Sequence, residues 1–445
     1  MVSPKKNCFV DLVVMKMSKK YGYELTLTEG IRALIKEEIT LELWVSSCLE
    51  RIKERENYVG AWEYIDEFNA LKSAANFDKY ASDKSLKGFP FSAKDIIDTV
   101  DIKTSYGSKI YSKNIPSRDA SCIAITKASG GILVGKTVTT EFGHVFPGKT
   151  KNPCNLDHTP GGSSSGSAAS VGDKMIPFSY GTQTTGSVIR PASYCGTVGY
   201  KPTIGDFNLS GVFSNSPSFD TLGIISRSVE DIELIRSILL ENFKFPPKTV
   251  DTRRINIGVV RSPFWEEAEK YTQNIFETFS SKLSKMGAKV IDVELPGIDT
   301  EVERLHGIIS GFEFSRTIAW ERINHREKLS KPLREGRMAD GLNTCYNEYR
   351  RYTRILEKLR LENDDFIGKF DVLITPSSSG EAPMGVQSTG KAHFNIIASV
   401  LGLPAITLPL FEGPNRLPVG IQLMNKRNGD EKLLQISKAI MRLMG

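Results

Sequence analysis

Apolar residues recur at steps of three and four along the first part of the chain, then gather into short continuous runs further on. Leu41, Trp44, Val45, Cys48, Leu49 and Ile52 form an unbroken stripe behind Thr40, which predicts a capped helix with one face on a core. A second helical stretch runs through Ala75. From Lys87 to Asp95 the pattern breaks. Gly88 and Pro90 enforce an extended conformation there, and Lys94 falls among apolar and small residues. Asp119 is placed as the N-cap of a helix through Ala128, with Gly130-Gly131 as its stop and Ile132-Leu133-Val134 as a buried strand.

Farther along, apolar runs predict strands over 222–226, 255–260, 288–293, 371–376, 405–409 and 419–423. Helices fall between several of them. One is capped by Ser228 and carries Ile232, Ile235, Ile238 and Leu239, and another ends at Met286 before Gly287. This alternation predicts an α/β protein, a single large α/β/α layered domain around a mixed, mostly parallel central sheet. Length alone suggests about three domains, but strands come from both ends of the sequence, which favours one. Between 301 and 370 strand signals vanish, and two long charged helical segments flank Lys331-Pro332. That segment reads as a helical cover on the substrate side. Residues 1–24 read as a poorly ordered extension and 25–445 as the domain.

Composition narrows the function classes. The 445 residues are 40% hydrophobic and 25% charged, and the net charge of +6 is spread along the chain, so no nucleic-acid partner is expected. Six cysteines show no CxxC pair and the histidines no His-x-x-x-His pair, so neither a disulfide framework, a metal site nor a cofactor is expected. A cytoplasmic location fits that cysteine usage. The apolar run from Cys8 to Met15 is interrupted by Asp11 and too short for a bilayer, so no membrane anchoring is expected. Gly135-Lys136-Thr137 lacks the upstream glycine of a phosphate loop.

The chemistry concentrates between Thr159 and Gly205. Two turns there, Gly161-Gly162-Ser163 and Thr185-Gly186-Ser187, can each present a serine hydroxyl beside backbone N–H groups. That combination points to nucleophilic catalysis on a carbonyl. A serine hydroxyl needs a base within hydrogen-bond reach, and only His144 and His158 lie nearby in sequence. A neutral lysine can serve instead: an ammonium titrating near 10.4 in water loses about 3 to 5 pH units on full burial. Lys94, beside Phe91 and Ala93, is the candidate. The plainer roles are a helix cap for Ser163 and a solvated side chain for Lys94.

With Lys94 in Gly-x-Pro-Phe-x-x-Lys-Asp, Gly135-Lys136-Thr137, Glu141-Phe142, Asp371 to Pro376 and Gly402-Leu403-Pro404-Ala405, nearly the whole chain resembles the amidase signature family. The resemblance implies a Ser–Ser–Lys triad hydrolysing amides. In it Ser187 matches the nucleophile, Ser163 the bridging serine that follows a cis peptide bond, and Lys94 the terminal base. The amides of Thr184, Thr185, Gly186 and Ser187 match the oxyanion hole. The substrate implied is a small-molecule amide bound near Gly162, Gln183 and Arg190, and many relatives are homodimers.

This chain departs from the common Gly-Thr-Asp-Thr-Gly-Gly-Ser pattern at Gln183 and Thr185, and Arg190 follows the nucleophile by three residues rather than two. These features are similar to malonamidase-type members, which act on small amides bearing a carboxylate. Arg190 could then bind a substrate carboxylate as a fork or form an internal ion pair; both readings stand. If position 185 requires positive φ, a β-branched threonine distorts the hole. Three functions compete: a stand-alone amidase releasing ammonia from a small carboxamide, the glutamine-hydrolysing subunit of a tRNA-dependent amidotransferase, and a non-catalytic scaffold.

Overall fold

In the computed structural model, residues 22–77, 86–242 and 255–444 are described. Most of the predicted extension therefore lies outside the described residues, although Gly22–Glu24 forms a 3-10 turn.

The helical stripes fold as expected. Leu41–Val59 is a helix whose N-cap Thr40 accepts a hydrogen bond from Leu43 N, and Trp44, Val45, Cys48, Leu49 and Ile52 are all buried. Ser228 likewise caps Val229–Leu239 by accepting from Asp231 N. Asp119 does not cap the helix that follows it. Ser121–Ala128 starts after Ala120 without a side-chain cap, and the Asp119 carboxylate instead takes Val100 N and Lys127 Nζ.

Eleven strands form one sheet: β1 (Trp62–Ile65), β2 (Phe89–Lys94), β3 (Gly131–Thr137), β4 (Phe178–Gln183), β5 (Val198–Lys201), β6 (Thr221–Ser226), β7 (Asn256–Val259), β8 (Lys289–Asp292), β9 (Val372–Pro376), β10 (Ala405–Glu412) and β11 (Pro418–Met424). Their order is β1-β3-β2-β4-β6-β5-β10-β11-β9-β7-β8. Joining strands from both ends of the chain makes one sheet of what length alone would divide. The sheet is mixed, but antiparallel pairing is more frequent than the alternation of strands and helices suggested. Parallel pairs occur at β2 with β3 and β4, and at β7 with β8 and β9. Antiparallel pairs join β1 to β3 and run through the centre from β4 to β9. Gly135-Lys136-Thr137 lies within β3, with Lys136 ion-paired to Asp95 at 3.1 Å, so it forms no phosphate loop.

Helices over 301–317, 319–324, 331–335, 337–343 and 346–367 fill the segment expected to form the cover. Two apolar clusters hold it down. Ile309 and Leu356 pack with Ile189, Phe219 and Ile397, while Phe314, Leu329, Leu333 and Met338 pack with Phe142. The first cluster includes Ile189, two residues after Ser187, so burial of apolar surface ties the cover to that serine-bearing turn.

Candidate active site

Three neighbouring segments build the site. Lys94 ends β2, a strand buried along its whole length because Phe89, Phe91 and Ala93 pack into the main core. Ser163 precedes the helix Ser165–Gly172, whose Gly166 lies so close to the backbone just before β1 and just after β3 that a Cβ would come within 2.2 Å of Ala61 O and 2.4 Å of Val138 N. Ser187 stands between β4 and the short helix Ile189–Tyr194. Because β2 and β4 pair in parallel, their C-terminal ends, Lys94 and Gln183, emerge on the same edge of the sheet.

The Gly162–Ser163 peptide is cis. Lys94 Nζ lies 2.6 Å from Ser163 Oγ and 2.8 Å from Thr182 Oγ1. Burial lowers the Lys94 pKa to about 7, against a smaller upward pull from Asp220. A lysine that is half neutral near pH 7 can accept a proton from the hydroxyl beside it. Ser187 is tied to this pair through its carbonyl, which accepts from Ser164 N at 3.2 Å. No hydrogen bond joins the Ser163 and Ser187 hydroxyls among the described residues; the Ser187 side chain is half-buried and can turn. The structure thus brings Lys94 and Ser163 into direct contact and places Ser187 beside them.

The loop from 184 to 187 presents its amides. Among the described residues, the N–H groups of Thr184, Thr185, Gly186 and Ser187 donate to no protein acceptor. Four successive unpaired amides next to a serine form a concavity for a developing oxyanion. Thr185 is not among the residues with positive φ, so its branched side chain does not strain the loop. Gly186 is required for another reason: a Cβ there would sit 2.5 Å from Asn395 Oδ1.

Two expected substrate ligands have internal partners instead. Gln183 is fully buried; its Oε1 accepts from Val188 N and Ile189 N, and its Nε2 donates to Ser399 Oγ. It caps the start of the helix Ile189–Tyr194, so it does not reach a substrate. Arg190 is buried without an acidic partner. Its Nη2 donates to Gly162 O at 2.6 Å and to Thr389 Oγ1 at 3.3 Å, which braces the turn that carries Ser163. No ion pair holds it among the described residues, and its Nε is buried without a partner. Gly162 serves in the same place as that acceptor, with Thr389 against the position of its absent Cβ.

Asp220 and His306 carry weight that sequence reasoning missed. Asp220 accepts from Thr184 Oγ1 at 2.6 Å, from Ser214 Oγ, and from the amides of Asn215 and Ser216. His306, on the cover helix Glu301–Thr317, places Nε2 3.2 Å from both Thr184 O and Thr185 Oγ1. Neither residue lies in a motif; only Asp220's position just before β6 offered a signal, and a weak one. Replacing Asp220 with Asn removes the negative charge that holds the Lys94 pKa up. With Lys94 as the expected base, which works only when neutral, activity is expected to rise with pH through about 7 in the native chain. The midpoint should move to lower pH in Asp220→Asn, and a shift to higher pH would contradict the assignment.

Among the described residues no group of three or more His, Cys, Asp or Glu side chains could hold a metal ion, and no helix is long and apolar enough to cross a membrane.

The amidase family model matches residues 44–434. A glutamyl-tRNA(Gln) amidotransferase subunit from Halothermothrix orenii is 30% identical, with the match covering 93% of this chain and 96% of the relative. The corresponding subunit from Geotalea daltonii is 31% identical, covering 94% and 96%. Among solved structures, a crystal structure of an amidase superposes with a TM-score of 0.86 at 26% identity, covering 95% of this chain and 100% of the other. A match across most of the sequence thus accompanies a buried lysine–serine pair set before a serine-bearing turn, and the chain belongs to the amidase family.

Proposed function

We propose that the chain hydrolyses the carboxamide of a small, carboxylate-bearing substrate through a seryl acyl-enzyme, and that glutamine is this substrate. The observation that carries the hydrolysis is the 2.6 Å contact of Lys94, its pKa lowered to about 7, with Ser163 beside the unpaired amides of 184–187. Neutral Lys94 accepts the Ser163 proton as Ser163 Oγ takes the proton of Ser187. Ser187 Oγ bonds to the amide carbon, and the oxyanion sits against the four amides. The C–N bond then breaks as the relay returns the proton to nitrogen, releasing ammonia. Water enters by the same relay, cleaves the ester and frees the carboxylate product.

Glutamine is supported by the relatives, which are named as amidotransferase subunits, and by Arg337. The Arg337 guanidinium makes no hydrogen bond or ion pair among the described residues. Burial lowers its pKa to about 10, and it lies within electrostatic reach of Asp220, His306 and His144. It is therefore a cation on the cover side with no internal anion bonded to it, suited to a substrate carboxylate. Arg337→Gln is expected to raise KM for glutamine about tenfold or more with a smaller change in kcat. An unchanged KM would remove Arg337 from substrate binding. A malonamidase-type preference rested on Gln183 and Arg190; Gln183 is bonded internally, and the relatives are named as amidotransferase subunits rather than malonamidases.

The test of the whole reading is ammonia release by the purified chain across glutamine, malonamate-like, aryl, fatty and ureido amides, with and without amidotransferase partner subunits. Stimulation of glutamine hydrolysis by the partners supports the subunit role. Efficient release from another amide, unaffected by partners, would make the chain a stand-alone amidase.

A further inference from the structure

Each unpaired amide of the 184–187 loop belongs to a peptide unit whose carbonyl is held from behind. Gln183 O accepts from Thr221 Oγ1 at 3.3 Å, Thr184 O from His306 Nε2 at 3.2 Å, Thr185 O from Ser399 Oγ at 2.6 Å, and Gly186 O from Arg190 N at 3.0 Å. A trans peptide is planar with its C=O and N–H opposed, so a donor fixed on the carbonyl aims the N–H the other way. Four donors behind the loop therefore orient four amides in front of it. Two come from adjoining parts of the sheet and loop. The other two come from distant segments, His306 on the cover helix Glu301–Thr317 and Ser399 on the short helix Ile396–Val400.

We infer that His306 and Ser399 are positioning residues of the oxyanion hole, and that through His306 the helical cover sets the catalytic rate. This rests on the proposed seryl mechanism. The chemistry of His306 is defined by its surroundings. Thr184 O can only accept, so Nε2 carries the proton. The ring is stacked on Phe219 at 4.6 Å, and burial keeps it neutral, with its pKa lowered to about 3. It thus acts as a fixed neutral donor across the working pH range, and no proton moves through it. Ser399 Oγ donates to Thr185 O and accepts from Gln183 Nε2, so the residue that caps the following helix also orients the Ser399 hydroxyl. The hole and the helix start are locked as one unit.

Complete loss of an oxyanion donor lowers kcat about 10²–10³-fold, and release of one peptide's orientation should cost roughly 10- to 100-fold. The experiment compares His306→Ala, His306→Gln and Ser399→Ala with the native chain. Readouts are kcat and KM for the best amide, and the rate at which a fluorophosphonate labels Ser187. His306→Ala and Ser399→Ala are expected to lower kcat 10- to 100-fold with KM changed less than threefold. Labelling should slow by a similar factor, because the phosphoryl oxygen uses the same amides. His306→Gln, which keeps a donor, should recover part of the loss. The pH midpoint near 7 should be unchanged, since Lys94 is untouched. Unchanged kcat and labelling in both alanine variants would overturn the inference. So would parallel losses in kcat, KM and thermal stability with no recovery in His306→Gln, which would mark a merely structural role. If the native chain releases no ammonia from any amide but is labelled at Ser187, and the variants are labelled slowly, the proposed substrate fails while the positioning role stands.

Discussion

Ser187→Ala is expected to reduce kcat by about a million-fold, the scale seen when a seryl hydrolase loses its nucleophile. The expectation follows from the division of labour in the site. Ser163 is in contact with the base, but the unpaired amides are those of residues 184–187, so only the Ser187 oxygen stands where an attacked carbonyl would be held. Without that oxygen no acyl-enzyme can form, and Ser163, anchored to Lys94 on the other side, cannot replace it. Ammonia release measures the loss, and mass spectrometry of quenched reactions tests its cause, because a covalent adduct should be present in the native chain and absent from the variant. Substantial turnover by Ser187→Ala would overturn the assignment of the site as a whole. The alanine lies in a half-buried loop, so the fold should be unaffected.

Lys94→Ala is the second large effect. General-base catalysis typically contributes 10²–10⁴-fold, and a loss of about a thousandfold or more at neutral pH is expected. The form of the pH dependence is the more specific test. In the native chain Lys94 is protonated below about pH 7 and neutral above, so the rate should climb through that point and level off. In Lys94→Ala no such plateau should exist, and residual activity should keep rising towards high pH as hydroxide takes over the base's task. A variant profile that still levelled off near pH 7 would place the base elsewhere. Lys94 also makes a linked prediction for stability. Its folded pKa of about 7 is below its unfolded value near 10.5, so between those values the unfolded chain binds more protons and stability gains with rising pH. That contribution is absent in Lys94→Met, which fills the space without a charge. Urea unfolding at pH 7 and pH 9 should show a smaller pH-dependent gain for the variant than for the native chain.

The two variants separate the proposed nucleophile, Ser187, from the proposed base, Lys94. His306 and Ser399 add a third level, because they touch neither substrate nor the reacting atoms. The cover helix that carries His306 is held by an apolar cluster shared with Ile189, which follows the turn bearing Ser187. Disturbing that packing should therefore reach the chemistry through the orientation of peptide groups rather than through Lys94.

Helices with a continuous apolar stripe, such as Leu41–Val59, were legible in the sequence because their periodicity is local and their burial follows from it. Strands with apolar runs, such as β6, β7, β9, β10 and β11, were legible for the same reason. β4 and β5 were not: Phe178–Gln183 and Val198–Lys201 mix glycine and polar residues with aromatics, and both are buried only because neighbours pair on each side. The parallel bias was overstated because the order of strands across the sheet depends on long-range pairing that periodicity does not encode. At the site, the chemical types of Lys94, Ser163 and Ser187 and the run of four amides were determined by sequence. Tertiary structure alone decided that Lys94 is buried deeply enough to lower its pKa to about 7, that Gln183 bonds to the start of the following helix and Arg190 to Gly162 and Thr389, and that His306 and Ser399 stand behind the loop. The physical reason is that a pKa, an oriented peptide and an unpaired guanidinium are properties of surroundings, and those surroundings come from segments up to 216 residues away in the chain.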